Sequence, residues 1–105
     1  MRIFIAAPYA GKGEDVGRHV WNAIQVAEEL RSMGHLPFIP HLFHLWHLVV
    51  PHPSEYWAKM DSEWLSACEA LLRLPGASDG ADQDEMQAHA EGKMVFHRVE
   101  DIPPP

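Results

Sequence analysis

Cysteine is nearly missing from this chain: 105 residues contain one, Cys68. An intramolecular disulfide and a cysteine-based zinc site are therefore excluded. Between Leu65 and Leu71, Cys68 reads as a buried, inert thiol. Basic residues are also scarce, eight Lys and Arg against fifteen Asp and Glu, for a formal net charge of −7. Such a surface repels a phosphodiester backbone and argues against a nucleic-acid partner. A small anionic ligand stays compatible, because backbone amides hold phosphate without a basic patch. Long apolar runs are absent too. The first, Ile3 to Ala7, is too short for a signal peptide or a membrane span, so no membrane partner and a cytoplasmic location are expected.

What is present is a globular composition, 47% hydrophobic and 22% charged, in a length that suits one domain. Ile3 to Ala7 reads as a central strand buried on both faces. Pro8-Tyr9-Ala10-Gly11-Lys12-Gly13 breaks it. Val16, Val20, Ile24, Ala27 and Leu30 recur at helical spacing across Glu14 to Met33, with Gly34 as C-cap. A second strand is expected over His35 to Ile39, then an irregular loop from Pro40 to Pro53 with a helical turn around Phe43 to Leu48. Ser54 is placed to N-cap a helix from Glu55 to about Ala67. A third strand follows at Ala70 to Leu74, a third long helix at Ala81 to Glu91 and a fourth strand at Met94 to His97. One domain over residues 1–100 is followed by a proline-rich tail, 101–105, with nothing to pack. The alternation predicts a doubly wound α/β fold, a small parallel sheet of four or five strands with helices on both faces. Ligands of such sheets sit beyond the carboxyl ends of the strands, so the loops at Pro8–Gly13, Pro40–His44 and Pro75–Gly80 are expected to face one crevice.

The most informative stretch is Leu72 to Glu85, where an apolar run stops at Pro75-Gly76 and a helix begins past Gly80. Glycines let backbone amides crowd a ligand, and a helix start attracts an anion. Ser78 and the amides around Gly80 read either as a phosphate cradle or as a simple cap. Asp82, Asp84 and Glu85 follow in the first turns, where the helix field would hold a carboxylate ionised, as a nucleophile requires. Spacing against Ala88 leaves Asp84 and Glu85 equal candidates for the packed face. Trp57, Met60 and Trp64 read as core, and Asp61 lies beside them as a carboxylate that needs a partner or a task. His41, His44, His47 and His52 match no fixed zinc pattern, so neither a metal nor another cofactor is expected. Gly11-Lys12-Gly13 lacks the spacing of a phosphate loop, yet Lys12 would lend a charge to a bound phosphate.

Taken in order, these segments resemble the nucleoside 2-deoxyribosyltransferase superfamily, in its compact bacterial and phage branch related to 2′-deoxynucleoside 5′-monophosphate N-glycosidases. The likeness is carried by Ile3-Phe4-Ile5-Ala6-Ala7-Pro8-Tyr9, by Gly34 to His41, by Tyr56-Trp57 with Asp61 and Trp64-Leu65, and by Leu74 to Asp82. Ala88, Gly92 and Val95-Phe96 complete it. The resemblance implies cleavage or transfer at the N-glycosidic bond of a nucleoside or its 5′-monophosphate, through a carboxylate nucleophile and a glycosyl-enzyme. It also implies a homodimer or higher homo-oligomer sharing its active site. The family's nucleophilic Glu falls on Asp84, with Glu85 beside it; its supporting Asp falls on Asp61. Tyr9 would line the sugar or hold the nucleophile, and Ser78 would contact a 5′-phosphate. Ala7, Pro8, Gly11, His41, Gly76 and Gly80 complete the expected substrate-binding set. Asp is one methylene shorter than Glu, which keeps a second reading open: a non-catalytic nucleotide-binding or sensor module on the same fold.

Overall fold

A computed structural model of the chain describes residues 1–9 and 16–105. Four strands, β1 (Arg2–Ala6), β2 (Leu36–Phe38), β3 (Ala70–Arg73) and β4 (Met94–Phe96), form one sheet in the order β2-β1-β3-β4. Every pairing is parallel, with Phe4 opposite Phe38 on one side and Leu71 on the other. The helices are α1 (Val16–Ser32), α2 (Phe43–Val49), α3 (Ser54–Ser66) and α4 (Asp79–Ala90). A 3₁₀ turn at Pro40–Leu42 leads into α2, and another spans Val99–Asp101.

The pleat explains the two layers. Ile3, Ile5, Ala70 and Leu72 point to one face and pack on Ala23, Ala27 and Leu30 of α1. Phe4, Ala6 and Leu71 point to the other and pack on Leu65 of α3, Cys68, and Ala81 and Ala88 of α4. Helices therefore cover both faces, as a doubly wound fold requires. Cys68 is a free, buried thiol whose pKa burial pushes up. Gly34 takes a positive φ of 99° and ends α1 as expected.

Several local expectations are corrected. Ser54 is the first residue of α3 rather than its cap; Pro53 stands at the cap position and no side chain bonds there. The segment after Pro40 is more ordered than an irregular loop, because a 3₁₀ turn continues directly into the seven-residue α2. Trp64 is half exposed, so the stripe on α3 is core only at Leu65, with Trp57 and Met60 half-buried. The tail also packs: Ile102 is buried against α1 and the sheet. His35 Nε2 donates to the Pro103 carbonyl at 2.9 Å while its Nδ1 accepts from the Met1 amine at 3.0 Å. A proline-rich end can be anchored this way because its carbonyls still accept even though it lacks amide donors.

Candidate active site

A cavity of about 630 Å³ opens at the carboxyl ends of β1 and β3, where a doubly wound sheet places its ligands. Four pieces of chain wall it. Ala7 and Tyr9 come from the exit of β1, His41 and Phe43 from the segment after β2, Trp57 and Asp61 from α3, and Ser78, Gly80 and Asp84 from the start of α4. Two of the three loops expected to share a crevice thus meet there, together with Tyr9 from the first. Gly11 and Lys12 lie outside the described residues.

Asp84 reaches the cavity because of helix phase. Ala81 and Ala88 are buried against the sheet, and Asp84 falls on the same side of α4. Asp82 and Glu85 lie on another side, in a second cleft of about 440 Å³ with Arg73, Gly76 and His97. The Glu85 carboxylate stands 3.5 Å from His97 Nε2, 3.7 Å from His89 Nε2 and 3.8 Å from Arg73 Nη1. Glu85 is therefore not beside Asp84 in the cavity, and the helical step between them is the reason. Gly76 is likewise remote from the cavity. Its φ is +119°, and a Cβ there would lie 2.6 Å from Pro8 Cγ, so its glycine serves a close approach of two turns. Pro8 does not line the cavity; its carbonyl accepts from His41 Nε2 at 2.9 Å and so aims that ring.

Asp84 departs from the expectation of an ionised helix-start carboxylate. Burial pushes Asp84 up from its ordinary 3.8 to about 7, the charge of Asp61 adds to the rise, and Arg73 opposes it. Burial alone lifts Asp61 to about 6. Desolvation outweighs the helix field because α4 turns this side chain inward instead of leaving it in water. Asp61 makes no salt bridge among the described residues, and its Oδ1 is buried with no hydrogen-bond partner. A buried oxygen left in that state calls for a ligand atom. Between about pH 6 and about pH 7 the two carboxyls hold about one proton between them, chiefly on Asp84.

Hydrogen bonds fix the polarity of the histidines. His41 is only 4% exposed, and since a carbonyl can only accept, its Nε2 carries the proton toward Pro8. Burial holds the ring neutral, so Nδ1 is a bare acceptor, and it too has no partner. His47 Nδ1 accepts from Trp57 Nε1 at 2.8 Å and from the His52 amide at 3.3 Å, which places its proton on Nε2. The Tyr9 hydroxyl and His44 Nδ1 share a hydrogen bond, and burial raises the phenol pKa so that it keeps its proton. Phe43 and Trp57 stack at 6.0 Å between centroids, and His52 meets the Trp57 edge at 5.6 Å. Among the described residues no group of three metal-ligating side chains converges. Ser78 caps α4, accepting from the Ala81 amide at 3.1 Å, while its own hydroxyl proton stays free to be donated. Phe43, His44, His47, His52, Ser54, Trp57 and Ala58 were not singled out as ligand contacts from sequence. The signal was the dense His and aromatic content between Pro40 and Trp57, which only the path of α2 and α3 turns toward the cavity.

Fold and site together define a doubly wound α/β domain with a carboxylate-bearing crevice at its strand ends. Residues 1–98 match the family described as Domain of unknown function (DUF7768), and the chain belongs to it. No curated protein matches the chain. Among solved structures it is similar to a 2-deoxyribosyltransferase from the psychrotolerant bacterium Bacillus psychrosaccharolyticus. That match has 23% identity and a TM-score of 0.56, over 90% of this chain and 69% of the other. At that identity the likeness is one of fold.

Proposed function

We propose that this domain binds a nucleoside or nucleoside 5′-monophosphate in the 630 Å³ cavity and breaks its N-glycosidic bond, with Asp84 as nucleophile and Asp61 as proton carrier. The observation that carries the reading is that two inward carboxylates from different helices, α3 and α4, line one cavity and titrate near neutral pH. Two carboxyl groups sharing a proton supply what a retaining glycosidic reaction needs. Burial leaves the shared proton chiefly on Asp84, and the productive form is the minor arrangement in which Asp84 is ionised and Asp61 carries the proton. An Asp84 oxygen attacks C1′, the C1′–N bond breaks, and its electron pair leaves with the base, which takes the Asp61 proton. Water or an acceptor base then attacks C1′, Asp61 removes the proton, and the Asp84 ester opens. The aromatic wall of Phe43 and Trp57 suits a flat base, and the bare His41 Nδ1 suits a hydroxyl or N–H donor. Ser78 and the amides at the start of α4 suit a 5′-oxygen or phosphate.

The shorter Asp in the place of the Glu of the nucleoside 2-deoxyribosyltransferases that the sequence resembles favours the second reading, a binding module without turnover. One experiment separates them. Ribo- and deoxyribonucleosides and their monophosphates are incubated with the protein, with and without an acceptor base, and released base is measured. Release is expected, and Asp84→Asn should lower it at least about a thousandfold, as loss of a nucleophile does. Glu85→Gln should leave the rate within about threefold, since that side chain faces the other cleft. Ligand binding with no base released from any compound would make the domain a binding module.

A further inference from the structure

Arg73 closes β3, and its side chain is only 12% exposed, unusual for a cation in so acidic a chain. Each of the three guanidinium nitrogens donates a hydrogen bond. Nη2 donates to the Gly76 carbonyl at 2.9 Å, Nε donates to the Leu74 carbonyl at 3.2 Å, and Nη1 donates to Asp82 Oδ1 at 2.6 Å. Glu85 Oε1 lies 3.8 Å from Nη1. One side chain thus ties the strand end, the Pro75–Gly76 turn and the first turn of α4. It grips α4 through residues 82 and 85, which bracket Asp84 in sequence and project elsewhere.

We propose that Arg73 is the positioning residue for Asp84: from the cleft behind α4 it seats the helix start so that Asp84 faces the cavity. Resting on the reading of Asp84 as nucleophile, the proposal adds the group that readies it. The geometry requires a planar fork, because three acceptors in different directions are met at once, which an ammonium on a flexible stem does not reproduce. Among the described residues the charges around Asp84 are few. Asp61 from α3 raises its proton affinity and Arg73 from β3 lowers it. Tyr9 from the exit of β1, His41 from the 3₁₀ turn, His44 and His47 from α2, and His52 complete the titratable lining, while Asp82 and Glu85 partly neutralise Arg73 from α4.

The test is a carboxyl-carbon NMR titration of Asp84 in the full chain, beside the pH profile of base release. Arg73→Met should move the Asp84 titration to higher pH and slow base release on the acid side by about three- to tenfold. Arg73→Lys should return the titration toward wild type but not the full rate, since it restores charge without the fork. Asp82→Asn, at a largely exposed position, removes a neutralising partner and should move the titration the opposite way; it serves should Arg73→Met fail to fold. An Asp84 titration unmoved in Arg73→Met, or in Asp82→Asn where only that variant folds, overturns the proposal even if base release depends on Asp84. Shifted titrations with no base released from any substrate leave Arg73's role standing and sink the catalytic reading instead.

Discussion

At the scale of single residues, the proposed chemistry turns on two carboxyls that burial has moved out of the ordinary acid range. Their folded-state values, about 6 for Asp61 and about 7 for Asp84, lie above the ordinary 3.8. The native state therefore binds protons more tightly than the unfolded chain does. Both groups contribute stability in full below about pH 4, and that contribution is lost as the pH rises through about 6 and then about 7. Asp84→Asn cannot ionise and should escape its part of the loss. Its melting temperature relative to wild type is expected to rise from pH 5 to pH 8, followed by thermal denaturation across that range. A constant difference would mean that Asp84 is solvated in the native state. The candidacy of Asp84 was legible in the sequence; the choice over Glu85 was not, since one residue along a helix is a rotation that only packing converts into inside or outside.

Elements place these residues. Gln87 of α4 donates to the Ser62 carbonyl at 3.0 Å, and Lys93 donates to the Cys68 carbonyl at 2.6 Å and the Ser66 carbonyl at 2.9 Å. These bonds span α3 and the end of α4, and they set Asp61 against Asp84. The β3–α4 turn is held from its other end by Gly76 packed on Pro8. Gly76→Ala must accept both a left-handed φ and a contact near 2.6 Å, so a loss of about 2 kcal/mol or more is expected. Chemical denaturation measures it, and an unchanged midpoint would show that the turn relaxes freely. The turn's glycines were visible in the sequence, yet their duties divide: Gly80 borders the cavity, whereas Gly76 fits one loop against another.

At the scale of the whole molecule, α2 carries an apolar surface that the described residues leave uncovered. Leu45 and Leu48 are each 65% exposed and Val49 is 81% exposed on α2, whose histidines meanwhile line the cavity. A helix apolar on both sides is most stable with both sides covered. We therefore expect a second copy of the chain to cover α2, so that sedimentation gives a mass above the 11.9 kDa monomer. Val49→Asp should shift the distribution toward monomer by placing a charge in that contact. A monomer at all concentrations for the unsubstituted chain would refute the expectation.

By itself the sequence determined the layers. Apolar runs at Ile3 to Ala7 and Ala70 to Leu74, separated by a helical period, leave a parallel sheet with covered faces as the consistent arrangement. It also nominated Ser78 and Asp84, because turn and helix-start chemistry is local, and Asp61 from its apolar neighbours, while Tyr9 came from the family resemblance. Only the tertiary structure decided that Asp61 and Asp84 share a cavity while Glu85 does not. It likewise decided that Gly76 meets Pro8 and that the tail docks through Ile102, whereas the helical turn expected around Phe43 to Leu48 is α2. Those outcomes depend on distances between segments far apart in the chain. Desolvation, which moves both carboxyls, exists only once such segments have closed over them.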